Sequence, residues 1–319
     1  MIFTMHLNVF GDFKKFSFSF QLLARWGVPF FFIASSFFLF SKCENSNNKW
    51  AVMRSYFRRI FSLYLVWLII NSPSVLFSIC YKSNFTNLKA WLYLLKGILL
   101  SSTFTGSWYL TGCAFCAFAI YLLCKKCRTS LVVLLSFTIE IICILSSSYY
   151  GLLPFSVKKI VCFLNFPLNI FSGMFYFALG KWFAENKMYI SKISTKICAL
   201  LAIIFYVLYF KEIYFTKKAA VYLISDQAFL IIPASVFIFL FALNSKITVK
   251  NSRLLRKIST VIYCAQGNIL LFSSIPSKLL MLETRAVASI IGYALMTAAV
   301  LLVLRLQKSG KFSWAKYLS

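Results

Sequence analysis

The chain has 319 residues, of which 61% are apolar, 19% aromatic and only 13% charged. A soluble domain carries roughly a quarter charged residues and under half apolar ones, so a water-soluble core is excluded. The net charge of +27 would suit nucleic acid, but such a surface needs a solvated basic face with aromatic platforms. Here the aromatics lie inside the apolar runs, and Lys and Arg lie mostly between them.

Repeated apolar runs of about 18 to 25 residues are each long enough to cross about 30 Å of hydrocarbon as a helix. Stretches such as Leu131–Leu145 and Ala199–Phe210 are apolar on every face, unlike the alternating strands of a barrel. The predicted fold is an all-α polytopic integral membrane protein. At its start, Met1–Phe10 (MIFTMHLNVF) is apolar but would reach only about 15 Å as a helix. It reads as the tail of a crossing whose first half is missing, and it lacks the basic n-region and the length of a cleaved signal peptide.

Complete crossings are then predicted at 22–41, 60–80, 107–124, 130–150, 167–184, 197–215, 226–244, 258–276 and 286–305. That makes nine full transmembrane helices plus the partial one. The segment 88–100 is shorter, carries Lys89, Lys96 and Trp91, and fits an interfacial helix; 151–166 is a similar amphipathic connection. No repeat or linker divides the chain, so residues 1–319 are expected to form one membrane domain. If the connection 41–59 is cytoplasmic, strict alternation puts most of the 34 Lys and Arg on that side, with the C-terminus, as the positive-inside rule asks.

Few side chains in this background could do chemistry. His6 is the only histidine and the only side chain whose unperturbed pKa suits proton transfer near neutrality; a hydrogen-bonded histidine at a helix end is the plain alternative. Arg25 precedes a run interrupted by Pro29, and either snorkels to the interface or faces a polar cavity that binds an anion. Arg54, Arg58 and Arg59 open a span. The first two share a helical face, which suits phosphate oxygens or simply marks a cytoplasmic end.

Glu140 lies deep in SFTIEIICIL, where a carboxylate needs a hydrogen bond across helices or a wet cavity. Asp226 and Gln227 read as a helix start. The sequon Asn84-Phe85-Thr86 falls on the outer side. The pairs Cys113/Cys116 and Cys124/Cys127 have CxxC spacing, but no histidine is near them, and small packing residues are the expected role. No metal is predicted.

Five segments together resemble the membrane acyltransferase 3 family, bacterial multi-span enzymes that O-acetylate surface sugars. ARWGVPFFFIASSFFLF (Ala24–Phe40) is similar to that family's Arg-x-x-Val-Pro-Phe-Phe-Phe signature, and RSYFRRIFSLYLVW (Arg54–Trp67) to its basic run opening the next span. SWYL (Ser107–Leu110), FYFALGKW (Phe175–Trp182) and ISTVIYCAQG (Ile258–Gly267) follow in the family's order.

The resemblance implies ten spans in the intact family and transfer of an acyl group, acetyl being the expected one. The donor would be acyl-coenzyme A, reached from the cytoplasm, and the acceptor a hydroxyl of a cell-surface carbohydrate. It implies no permanently bound cofactor, a bacterial inner-membrane location, and the lipid bilayer as partner with no nucleic acid. His6 matches the family's essential histidine and would act as general base. Arg54, Arg58 and Arg59 would hold coenzyme A phosphates; Arg25 would orient substrate or stabilise developing charge, and Glu140 is a further substrate candidate. The chain departs from the family at Ser107, where a histidine is common, and at Gln266 and Gly267, where His-Pro is common. A flippase or exporter of a lipid-linked or polysaccharide substrate, or an inactive remnant of the enzyme, are the alternatives.

Overall fold

The computed structural model describes residues 2–10, 13–82, 88–164, 166–221, 223, 227–279, 285–309 and 317–318. The sequon at 84–86 and Asp226 lie outside them. The protein is 82% helix with no strand among the described residues. In chain order the helices are α1 (Ile2–Leu7), α2 (Lys14–Ala24), α3 (Gly27–Glu44), α4 (Lys49–Ile70), α5 (Ser72–Lys82), α6 (Leu88–Leu100), α7 (Ser107–Lys126) and α8 (Thr129–Leu145). They are followed by α9 (Phe155–Leu164), α10 (Met174–Glu185), α11 (Lys187–Ile190), α12 (Thr195–Lys218), α13 (Ile231–Asn244), α14 (Ser252–Leu279) and α15 (Arg285–Ser309).

Among the described residues, four helical stretches are long and apolar enough to cross a membrane: Lys15–Glu44, which runs through the turn at 25–26, Ser107–Lys126, Thr195–Lys218 and Val287–Ser309. Thr129–Leu145 and Ile231–Asn244 are apolar but shorter. The helix expected at 88–100 forms with the same bounds as α6, exposing Leu88, Trp91, Leu92, Leu95 and Leu99.

Two expected spans take another form. The run 60–80 is broken at Asn71 into α4 and α5, because Pro73 has no N–H to continue the ladder and the Asn71 carboxamide donates to the Trp67 carbonyl at 2.8 Å. Of 167–184, only Met174–Glu185 is α-helical. Ahead of it the chain turns on Asn169, whose Oδ1 accepts the Phe171 N–H at 2.9 Å and whose carbonyl accepts the Ser172 hydroxyl at 2.7 Å; such Asx turns compete with helix.

The chain divides into two compact units, each built from separated segments. One comprises Met1–Ala24, Arg59–Ser107 and Thr248–Ser319; the other comprises Arg25–Arg58 and Trp108–Ile247. The first unit is organised by the α14–α15 pair, on which the short α1 lies.

In the second unit α10 is almost wholly buried and packs on α3 and α8, while α12 pairs with α13. The α3–α10 crossing depends on small residues. A Cβ at Gly180 would collide with the Ile33 carbonyl and with the Ser36 Cβ, and one at Gly173 would lie 2.5 Å from the Phe32 ring. Close approach through glycine is how helices associate where lipid is as apolar as their side chains. Gly180→Val is expected to destabilise the protein by about 1–3 kcal/mol through overpacking, read as a lowered melting temperature in detergent.

Candidate functional site

In the first unit, His6 is exposed in the last turn of α1. A helix of six residues cannot hold itself, and α15 holds it. The Tyr293 hydroxyl donates to Thr4 Oγ1 at 2.6 Å, and the Tyr293 ring meets Phe3 edge-on at 5.6 Å. At Gly292 a Cβ would stand 2.6 Å from Leu7 Cδ2, so the absence of a side chain there admits Leu7. Residues 3, 4 and 7 thus face α15, and His6 projects from the flank of that face. The helix ends at Asn8 in a left-handed conformation (φ 51°), and Asn8 Oδ1 accepts the Ser17 hydroxyl at 2.8 Å, tying α1 to α2.

The same unit gathers all three positions at which the sequence departs from the family pattern. Ser107 is fully buried, and its Oγ accepts the N–H groups of Thr103 (2.8 Å) and Phe104 (3.3 Å). It closes the turn that precedes α7. Gly106 has φ +86°, a conformation that favours glycine, and its carbonyl accepts the Tyr263 hydroxyl. Gln266 Nε2 donates to the Thr105 carbonyl at 3.3 Å.

On either side of Gln266 in α14, Asn71 Nδ2 donates to the Cys264 carbonyl at 2.9 Å while Asn71 Oδ1 accepts the Asn268 N–H at 3.3 Å. The carboxamide therefore engages both partners of one helical rung. Asn268 Nδ2 returns a bond to the Ile70 carbonyl at 2.5 Å. None of these asparagines was singled out from the sequence; an asparagine two residues ahead of a proline in an apolar run is the signal that marks Asn71.

In the second unit, Glu140 is 1% exposed and its Oε1 accepts the Tyr176 hydroxyl at 2.9 Å. This is the hydrogen bond across helices, α10 to α8, that the sequence left open beside a polar cavity. Arg25 is half-buried at the turn before α3, and Arg54 and Arg58 are exposed on α4. Arg59, also exposed, begins the portion of α4 that belongs to the first unit. Cys113 and Cys116 are buried in α7.

The helix start expected at Asp226 and Gln227 falls later, at Ile231, and a distant acid secures it. Glu212 Oε1 accepts the Phe229 N–H at 2.8 Å and the Tyr149 hydroxyl at 2.9 Å, and Oε2 accepts the Leu230 N–H at 2.8 Å. Gln227 is held instead by Ser147 and Ser148. The sequence signal was available, since Glu212 is the one acid in the predicted span 197–215.

Residues 1–305 match the family model Acyl_transf_3, described as an acyltransferase domain. The chain belongs to that acyltransferase family, whose general activity is acyl transfer. No curated protein and no solved structure matches it.

Gly292→Val is expected to push Leu7 off α15 and free α1, raising the rate of limited proteolysis near Asn8 severalfold; Tyr293→Phe, which loses one hydrogen bond of about 1 kcal/mol, should raise it less. A second expectation concerns Glu212→Gln, which weakens charge-assisted bonds worth about 1.5–3 kcal/mol each and should lower the melting temperature more than Glu44→Gln, whose partner Lys49 is exposed.

Proposed function

We propose that this protein transfers an acetyl group from acetyl-coenzyme A to a hydroxyl of a cell-surface carbohydrate or its precursor. The observation that carries the reading is the family match over residues 1–305, which includes the only histidine of the chain. His6 takes the proton from the acceptor hydroxyl as its oxygen attacks the thioester carbonyl. The tetrahedral intermediate collapses, the C–S bond breaks, and the imidazolium returns its proton to the departing coenzyme A thiolate. No electron transfer and no metal step is needed.

Arg54, Arg58 and Arg59 hold the coenzyme A phosphates, for which guanidinium forks are suited. Arg25 stabilises charge developing on the carbonyl oxygen or orients the substrate. Glu140, bonded to Tyr176, is a further candidate for contact with the substrate. The protein sits in a bacterial inner membrane with its C-terminus cytoplasmic. This assignment rests on the charge distribution between the apolar runs.

The test is transfer of label from acetyl-coenzyme A to membrane glycan in cells expressing the wild type or His6→Ala. A loss of about 100-fold or more, the range of general-base catalysis, is expected for the variant at equal membrane abundance. Transfer that survives the substitution contradicts the base assignment, and a wild type that is inserted but transfers nothing leaves the flippase or remnant reading.

A further inference from the structure

The short helix α11 and its flanks, in the second unit, form a surface that no role described above uses. At the end of α13 the Asn244 carboxamide donates to the carbonyls of Ile190 at 2.9 Å and Ile193 at 3.1 Å, and the Asn244 carbonyl accepts the Thr195 hydroxyl at 3.2 Å. Ile190 is buried. These contacts seat the turn between α10 and α12 against the end of α13. They gather the lysines that neighbour them in the chain: Lys192 beside Ile193, Lys196 beside Thr195, and Lys246 two residues past Asn244. Lys187 opens α11. All four lysines are exposed.

This surface has no acid of its own. None occurs between 186 and 211 or between 227 and 250, and Glu185, just ahead of α11, is held by the Lys181 ammonium and the Thr129 hydroxyl. Among the described residues the ion pairs are Lys49–Glu44 and Lys181–Glu185, so no acid neutralises any of the four ammonium groups. Between the lysines, apolar side chains turn outwards. Met188 is 76% exposed and Tyr189 73%, and Ile193 and Ile197 are exposed with them.

The position of the surface identifies what covers it. It adjoins the start of Thr195–Lys218, a stretch long and apolar enough to cross a membrane, and so stands where hydrocarbon gives way to headgroups. There the apolar side chains enter the acyl boundary while the lysine stems carry their ammonium groups to the level of the phosphates. A cluster of cations without acids favours headgroups of net negative charge over zwitterionic ones. We infer that α11, with Lys187, Lys192, Lys196 and Lys246, forms a docking surface for the headgroups of anionic phospholipids.

The probe is phosphatidylglycerol brominated on its acyl chains, compared with equally brominated phosphatidylcholine, each diluted into nanodiscs of unbrominated phosphatidylcholine. Tyr189→Trp puts a fluorophore on the surface, and its emission is read as the difference from the unsubstituted protein, whose 7 tryptophans form the background. Quenching gives the relative association of the two lipids beside that position. A preference for phosphatidylglycerol of about fivefold or more is expected, the scale on which a basic residue attracts an anionic lipid surface. It should disappear when Lys187, Lys192, Lys196 and Lys246 are replaced by Gln, and shrink at about 1 M salt. Ile203→Trp, at an exposed position within α12, should be quenched equally by the two lipids. Replacing Lys42, Lys125, Lys126 and Arg128 by Gln, which removes as much exposed charge elsewhere in the same unit, should leave the preference in place.

Equal quenching of Tyr189→Trp by the two lipids overturns the docking surface. So does a preference that survives loss of the four lysines, or one that falls equally with the four control cations. Quenching by neither lipid overturns it as well, and gives this face to a protein partner.

Discussion

Where a helix is interrupted among apolar neighbours, its end carbonyls and N–H groups are out of reach of water and need partners within the protein. The buried polar side chains of this chain are concentrated at such interruptions. Asn71, at the break between α4 and α5, spends its carboxamide on the Trp67 and Cys264 carbonyls and on the Asn268 N–H. Ser107 and Tyr263 satisfy the turn before α7. Glu212, with Ser147 and Ser148, satisfies the chain leading into α13. Without these side chains the backbone groups at the breaks lose their partners.

This constraint also explains why so few residues remain for chemistry. Most buried polar groups are committed to backbone, including Ser107 at a position where the family often has a histidine. Among the described residues of the first unit, the amide oxygens of Gln266 and Asn268 are buried with no partner, and His6 is exposed on a helix too short to stand alone. The helix that carries His6 depends on α15 for its place.

Much of the fold was legible in the sequence, for physical reasons that vary by element. The bounds of α6 followed from its length and charge, and α7, α12 and α15 from uninterrupted apolar runs ended by basic residues. The break at Asn71 was hidden because one asparagine and one proline hardly alter the hydropathy of 60–80, although they decide its backbone. The same holds for Asn169 ahead of α10. At the candidate site the residue types were readable and their supports were not. His6 could be found as the lone histidine, but its anchor Tyr293 bonds to Thr4 across 289 residues of sequence. The choice between a cavity and a hydrogen bond for Glu140 needed Tyr176, which lies on another helix.

The most direct measurement of the central claim, that an imidazole at position 6 removes the acceptor proton, is chemical rescue. His6→Gly protein in nanodiscs would be assayed for acetyl transfer from labelled acetyl-coenzyme A as imidazole is added. Activity near background that rises with imidazole concentration, with no such rise in the wild type, is the predicted result. A His6→Gly variant as active as the wild type without imidazole would contradict it.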